Sequence, residues 1–325
     1  MSEITYLQAV ADALKEEMRR DEKVFMLGED MGVYGGCFGV TRGFLDEFGE
    51  DRIMDTPISE GGFTGIAVGA AMAGYRPVVE YMFSDFVTIA MDLITNQAAK
   101  ARFMLGGQVT VPLVIRTPAG SGTGAAAQHS QSLETWFCHI PGLKVVMPST
   151  PYDVKGLLKS AIREDNAILF YEHKLLYSTK GEVPDDEYLL PIGKAGVMRE
   201  GKDMTIISYS LTALKALKAA EMLAKDGIDA EVLDLRTLSP LDNDAIIASA
   251  KKTGRVLVTH ESVQKFGVGA EVASIIGDSE AFFYLDRPVR RFGGEDIPIP
   301  YSPELEYHVV PQPDTIYEQA KALLK

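Results

Sequence analysis

Asp55-Thr56-Pro57-Ile58-Ser59-Glu60-Gly61-Gly62-Phe63-Thr64-Gly65 joins the end of a strand to the start of a helix. Pro57 forbids an early helical turn, and Glu60 stands where the helix opens. Gly61, Gly62, Gly65 and Gly69 then make it a helix that something approaches closely. Acidic groups are favoured at a helix N-terminus by its dipole, so Glu60 also has a purely structural reason to be there. The same rhythm runs outward in both directions. Thr5 followed by Gln8 resembles a capping box, with Val10, Ala13, Leu14 and Met18 at helical spacing behind it, so a first helix begins near residue 6. Strand-like segments at 24–27, 78–82, 112–115, 145–147 and 168–171 alternate with helical ones, which predicts a parallel sheet. A polar run at 179–187, with Gly181 and Pro184, leads into a second region of similar rhythm. Its strands fall at 204–208, 230–233 and 256–258, and its helices start near Leu211, Asp242 and Gly267. The chain reads as two doubly wound α/β domains, 1–180 and 181–325.

A length of 325 residues suits two domains, and 46% hydrophobic with 24% charged residues is a globular composition. The net charge of −14 argues against a nucleic-acid partner, whose phosphates need Lys and Arg, and suits a basic protein instead. Cys37 and Cys138 are too few for a disulfide framework or a Cys-rich metal site, which predicts a reducing compartment, the cytoplasm. Met1-Ser2-Glu3-Ile4-Thr5 lacks the basic and apolar regions of a signal peptide. Residues 64–75 are small and apolar, but Arg76 ends the run short of a membrane span, so a buried helix is expected and no membrane association.

Two more segments carry chemistry-bearing residues. Glu80-Tyr81-Met82-Phe83-Ser84-Asp85-Phe86 lies at the carboxyl end of a strand, where ligands of open α/β sheets bind. Its aromatic and Met side chains read either as a cofactor platform or as core. Gly120-Ser121-Gly122-Thr123-Gly124-Ala125-Ala126-Ala127-Gln128-His129-Ser130-Gln131-Ser132 reads as a mobile, ligand-facing loop. His129 is the one histidine of five in such a setting; His139, His173, His260 and His308 read as ordinary surface or packed residues. Ser130 is no nucleophile for His129, because adjacent residues rarely face each other and no nucleophile elbow surrounds them. There is no P-loop, no Gly-x-Gly-x-x-Gly after a strand and no His/Glu metal spacing. Those absences exclude an ATPase, a dehydrogenase of the dinucleotide-binding kind and a metalloprotease.

Taken in order, these segments resemble the beta subunits of thiamine-diphosphate-dependent 2-oxoacid dehydrogenases. The match includes Leu27-Gly28-Glu29-Asp30, Asp55 to Glu60, Gly69-Ala70-Ala71-Met72-Ala73-Gly74, Arg76-Pro77, Ala126-Ala127-Gln128-His129-Ser130-Gln131, Pro141-Gly142-Leu143-Lys144-Val145-Val146 and Lys155-Gly156-Leu157-Leu158. Ala127 to Gln131 and Phe266-Gly267-Val268-Gly269-Ala270-Glu271 look most like pyruvate dehydrogenase beta subunits, and the former also like acetoin dehydrogenase beta subunits. Branched-chain enzymes usually show Tyr or His in place of Gln128.

The resemblance implies a thiamine-diphosphate-binding pyrimidine domain followed by a transketolase C-terminal-like domain. It implies decarboxylation of a 2-oxo acid, pyruvate foremost, and transfer of the acyl group to a lipoyl acyltransferase. Acetoin or branched acids are the alternative substrates, and a non-catalytic architectural subunit is the contrasting class. On the family pattern, Glu60 donates to the pyrimidine N1′ and favours the imino tautomer that takes the C2 proton. Burial against the cofactor would raise the pKa of such a carboxyl. Phe86 would stack on the aminopyrimidine, Met82 and Ile58 would line it, and His129 would assist acyl transfer. The family holds the diphosphate through Mg²⁺ on a Gly-Asp-Gly motif with a following Asn. No Gly-Asp-Gly exists here, and the only Asn residues are Asn96, Asn166 and Asn243, so that half is expected from an alpha subunit in an α2β2 heterotetramer. The stretch 160–166 resembles a monovalent-cation loop in which carbonyls of Ala161, Ile162, Glu164 and Asn166, with Leu113, hold potassium. Glu164 departs from the usual Asp there, and a plain helix end and turn is the alternative. Glu29 and Asp92 resemble acidic positions between the paired sites of the family. Glu295, Asp296, Glu304 and Glu306 read as an exposed acidic stretch, either solubilising charges or, as the resemblance implies, a surface for the basic docking domain of the acyltransferase.

Overall fold

The computed structural model describes Met1 to Lys325. Two compact units divide the chain: Met1–Ala119 with Trp136–Ile192, and Gly120–Thr135 with Gly193–Lys325. No helix is long and apolar enough to cross a membrane.

In the first unit Thr5 caps the helix Tyr6–Arg20, its hydroxyl accepting from Gln8 N at 3.2 Å. That helix turns Ala9, Val10, Ala13, Leu14 and Met18 inward and packs along Pro151–Arg163. The second helix starts at a Thr150 cap with Pro at its first position, where a missing N–H costs nothing. Between the two, the buried Glu17 carboxylate accepts from Arg163 at 2.6 Å and from Arg20 at 2.7 Å. The strands Lys144–Val146, Ile168–His173, Val114–Ala119, Arg76–Glu80, Val24–Gly28 and Ile53–Asp55 lie side by side in that order, all parallel. Every residue of Val24–Gly28 and Ile168–His173 is buried, as in sheets covered on both faces.

The chain steps from Ile53–Asp55 on one side of Val24–Gly28 to Arg76–Glu80 on the other, through the helix Glu60–Met72. Such a change of direction opens a crevice at the carboxyl ends of the strands. Gly28, Asp55 and Glu80 end the three strands there.

One expectation needs correcting. The helix in 64–75 is not buried all round: Phe63, Thr64, Ala67, Val68 and Ala71 face inward, while Ile66 is 62% exposed and Met72 is also in water. Its apolar composition covers both faces, and this chain supplies packing for one. Gly61 and Gly65 leave room for Leu93, whose methyl carbons would lie 4.0 and 3.7 Å from an added Cβ. Within the polar run 179–187, where the sequence suggests a domain boundary, Lys180–Val183 pairs antiparallel with Ser2–Thr5. That ladder ties the run to the first unit, and the division falls at Ile192 and Gly193.

The second unit has its own sheet, in the order Arg290–Gly294, Val256–Val263, Met204–Ser208, Ala230–Asp234 and Gly196–Arg199. Its pairings are parallel except for the antiparallel edge strand Gly196–Arg199. Ile206, Ala216, Ala220, Val232, Leu257 and Ile316 form part of its core. The helices Ser210–Lys225, Asn243–Thr253 and Val268–Gly277 begin where the sequence pattern places them.

A buried charged cluster lies inside the first sheet. Arg116, on Val114–Ala119, is 1% exposed. Its Nη1 donates to Glu80 Oε2 at 2.6 Å, and its Nε and Nη2 grip both oxygens of Glu172 at 2.6 and 2.9 Å. The Tyr177 hydroxyl donates to the same Glu172 at 2.8 Å. Burial raises the Glu80 carboxyl above its ordinary range even with Arg116 opposing it. Removing Arg116 strands two buried carboxylates, so Arg116→Met should lower the unfolding free energy by about 3–5 kcal/mol. Urea unfolding of the variant checks this, and an unchanged midpoint would show that the sheet does not depend on the cluster.

Candidate active site

The crevice of the first unit gathers Glu60, Glu29 and Tyr81. Glu60 is the first residue of its helix and is buried, with Ser59 at the cap. Glu29 directly follows its strand and is also buried. Its Oε1 has no hydrogen-bond partner. Burial pushes the Glu29 carboxyl upward, and the neighbouring Glu60 and Asp30 charges push it further. Tyr81 shares a short hydrogen bond with Thr64 on the Glu60 helix. Its phenol is raised by burial first, then by the Glu60 and Glu29 charges. A buried polar atom without a partner, beside a second carboxylate, is the environment in which an incoming donor is favoured.

Met82 follows Tyr81, and Phe86 lies on the short 3₁₀ helix Ser84–Ala90, which packs on Glu60–Met72. Both are half-buried. Phe83 meets Phe86 edge to face at 6.0 Å, and is itself braced by Phe38 at 5.9 Å and by the Lys174 ammonium at 5.2 Å. Ile58 is 83% exposed. The fold thus buries Glu60, half-buries Met82 and Phe86, and leaves Ile58 in water.

His129 belongs to the second unit and is half-buried. Its loop closes on itself, Gly120 N donating to Gln131 O at 3.4 Å and His129 N to Ala126 O at 3.3 Å. Glu261 and Glu306 accept from the loop backbone between residues 121 and 124. A loop expected to be mobile is therefore anchored. Beside it opens a cavity of about 310 Å³, lined in part by Ser130, Glu261, Ser262, Ile297, Pro298 and Val309.

Residues 2–180 match the transketolase pyrimidine binding domain, and residues 193–316 match the transketolase C-terminal domain. A 2-oxoisovalerate dehydrogenase subunit beta from Bacillus subtilis (strain 168) is 50% identical over 318 residues, covering 97% of each chain. A mitochondrial pyruvate dehydrogenase E1 component subunit beta-2 from Oryza sativa subsp. japonica is 48% identical, covering 98% of this chain and 86% of its own. The chain belongs to this transketolase-type family of 2-oxoacid dehydrogenase beta subunits. A solved structure described as a split gene transketolase, an inactive beta4 tetramer, shares the fold with a TM-score of 0.81 at 22% identity, covering 99% of this chain and 98% of its own.

The stretch expected to form a cation loop lies where the helix Pro151–Arg163 ends. Leu113 O accepts from Ile168 N at 2.9 Å, and Ala161 O from Glu164 N at 3.2 Å. The carbonyls of Ile162 and Glu164 both accept from Arg76 Nη1 at 3.0 Å, so a guanidinium already meets two of the five groups. The Glu164 side chain turns away to Lys144 at 2.6 Å and to the Asn166 amide at 2.9 Å. Asp92 Oδ1 accepts from Asn96 at 2.7 Å. No three His, Cys, Asp or Glu side chains stand together as a metal cluster. Of the acidic stretch, Glu295 and Asp296 are exposed and Asp296 pairs with Lys265 at 3.2 Å. Glu306 is not a surface residue, because the helix Pro303–His308 turns it inward until it is 2% exposed.

His260, which read as an ordinary packed residue, ends a polar chain. Glu134 Oε1 accepts from the Tyr209 hydroxyl at 2.7 Å, that hydroxyl lies 3.2 Å from Ser262 Oγ, and Ser262 Oγ lies 3.0 Å from His260 Nδ1. The ring stacks on Tyr209 and is hemmed by Gly267, Gly269 and Gly293, where any Cβ would come within 3 Å of it. Burial lowers its pKa from 6.5 to about 4. The unfolded chain therefore takes up this proton first, so its share of stability is whole above about 6.5 and is lost as pH falls toward about 4. An NMR titration of the imidazoles should show His260 neutral down to about pH 4; a signal moving near 6.5 would contradict its burial.

Proposed function

We propose that the chain supplies the aminopyrimidine side of a thiamine diphosphate site and works with an alpha subunit, in an α2β2 heterotetramer, as a 2-oxoacid dehydrogenase. The observation that carries this reading is the buried Glu60 carboxylate at the topological switch, beside Glu29 with its unpartnered oxygen. Family membership supports it, since the matched relatives are named as pyruvate and 2-oxoisovalerate dehydrogenase beta subunits. Thiamine diphosphate, when bound, supplies the electron sink for loss of carbon dioxide from a 2-oxo acid. Glu60 would pass a proton to the pyrimidine N1′ and recover it. Burial and the Glu60 charge push the Glu29 carboxyl upward, which favours its protonated form more than at an isolated surface carboxylate. Met82 and Phe86 would offer half-buried apolar surface to the ring, and Ile58 would be covered on assembly. His129 would assist acyl transfer to the lipoyl group.

The diphosphate and its Mg²⁺ fall to the alpha subunit in this reading, because the chain has no Gly-Asp-Gly. The exposed Ile58, Ile66, Ile89 and Phe103 support a partner chain, since such side chains are costly to leave in water. A lipoyl acyltransferase core would be the further partner, with Glu295 and Asp296 as exposed acidic groups available to it. Potassium at Leu113, Ala161, Ile162, Glu164 and Asn166 rests on the resemblance of the 160–166 stretch, which lies at the end of the helix Pro151–Arg163; the Arg76 charge on the Ile162 and Glu164 carbonyls weighs against it. Pyruvate is the substrate favoured by Gln128, while the 50% identity to a 2-oxoisovalerate dehydrogenase subunit favours a branched acid, and acetoin stays as the third choice. The cytoplasm suits two free cysteines.

In the reconstituted complex, Glu60→Gln should reduce decarboxylation on the order of 10²-fold or more while calorimetry still shows cofactor binding. A near-normal rate would remove Glu60 from the mechanism. His129→Ala should harm acyl transfer to lipoyl acceptor more than decarboxylation followed with an artificial electron acceptor. Equal losses in the two assays would refute the acyl-transfer role.

A further inference from the structure

We infer that Glu306 and Glu261 are positioning residues whose carboxylates fill an anion-binding concavity made by the Gly120–Gly124 backbone and thereby fix the loop that carries His129. The inference rests on the reading of His129 given above.

The loop has little side chain with which to hold itself. Gly120, Gly122 and Gly124 have φ of +88°, +96° and +67°, a left-handed backbone that favours glycine. Left-handed residues alternating with ordinary ones turn successive N–H groups toward a common side, and such a nest binds anions. Here the anions belong to the chain itself. Ser121 donates to Glu261 Oε1 from both N, at 2.6 Å, and Oγ, at 2.9 Å. Gly122 N donates to Glu306 Oε1 at 2.6 Å, and Gly124 N to Glu306 Oε2 at 3.0 Å. Both carboxylates are buried, and hydrogen bonds to ionised acceptors are the strong ones. They come from the strand Val256–Val263 and the helix Pro303–His308, two separate elements of the second unit.

The clamp acts a few residues from the histidine. Between Gly124 and His129 the backbone turns at Ala126, with φ of +61°, and closes through His129 N to Ala126 O. Gly120 N to Gln131 O then seals the base. With residues 121, 122 and 124 pinned, the segment bearing His129 has little left to vary. Fixed geometry is what a group-transfer step requires, since a misplacement of about 1 Å can cost on the order of 10²-fold. Neither Glu306 nor Glu261 needs to touch the substrate.

The test uses the assembled α2β2 complex. Glu306→Gln keeps the shape and removes the charge, so the amides of Gly122 and Gly124 should exchange with solvent roughly tenfold faster or more. Acyl transfer to the lipoyl acceptor should fall by a similar factor, and decarboxylation with the artificial acceptor should fall less. In Glu306→Ala, added formate should slow the exchange again and restore transfer, because a small carboxylate can reoccupy the nest. A merely structural role would show no such rescue. Unchanged exchange in Glu306→Gln would overturn the clamp. Faster exchange with transfer intact, where His129→Ala does impair transfer, would overturn the positioning role. If His129→Ala spares transfer, the histidine reading has failed, and the clamp stands or falls on the exchange rates alone. Should Glu306→Ala fail to assemble, Glu306→Gln decides the matter through exchange and transfer.

Discussion

A guanidinium almost wholly shut off from water holds the first sheet together near the carboxyl ends of its strands. Arg116 reaches Glu80 on one neighbouring strand and Glu172 on the other, so three adjacent strands are cross-tied near their carboxyl ends. Buried ions are costly, and this cluster is tolerable only because the guanidinium grips Glu172 with two nitrogens and Tyr177 adds a further donor. Glu80 is also the residue before Tyr81, at which the chain leaves the sheet for the Met82 and Phe86 segment. The position of the aromatic platform is therefore inherited from an ionic cluster beneath it. On the other side of Tyr81, the hydrogen bond to Thr64 ties that platform to the helix carrying Glu60.

Much of this architecture can be read directly from residue pattern, and the exceptions have physical causes. Met204–Ser208 is an apolar run with a charged residue before it, and its ends are plain. The strand expected at 78–82 stops at Glu80, because Tyr81 and Met82 prolong the apolar run after the backbone has left the sheet. Gly196–Arg199 and Arg290–Gly294 carry charges and glycines and escape notice, as sheet-edge strands commonly do. Glu60 is legible because a proline and a run of glycines frame it. Phe86 stands out for its place after a strand, whereas the aromatic bracing through Phe83 and Phe38 joins residues far apart in the chain.

Charged residues are where pattern misleads most. Arg116 sits between Ile115 and Thr117 in an otherwise apolar strand, a visible anomaly, but its partners lie on two other strands. Glu306, among acidic neighbours, looks like surface and is in fact buried. Nothing within a few residues of either tells which way the side chain turns. That decision is made by groups 36, 56 and 184 residues away.

The separation between the Gly120 loop and the carboxylates that occupy it has a consequence for biosynthesis. A nascent chain emerges N-terminus first, and the strands of the first unit, ending with Lys180–Val183, are all present before Glu261 is made. The loop backbone at 121–124 must then wait 140 residues for its first anion and 184 for its second. Contacts so distant in sequence form late. The histidine segment therefore takes its final shape only after the short helix Pro303–His308 has been made.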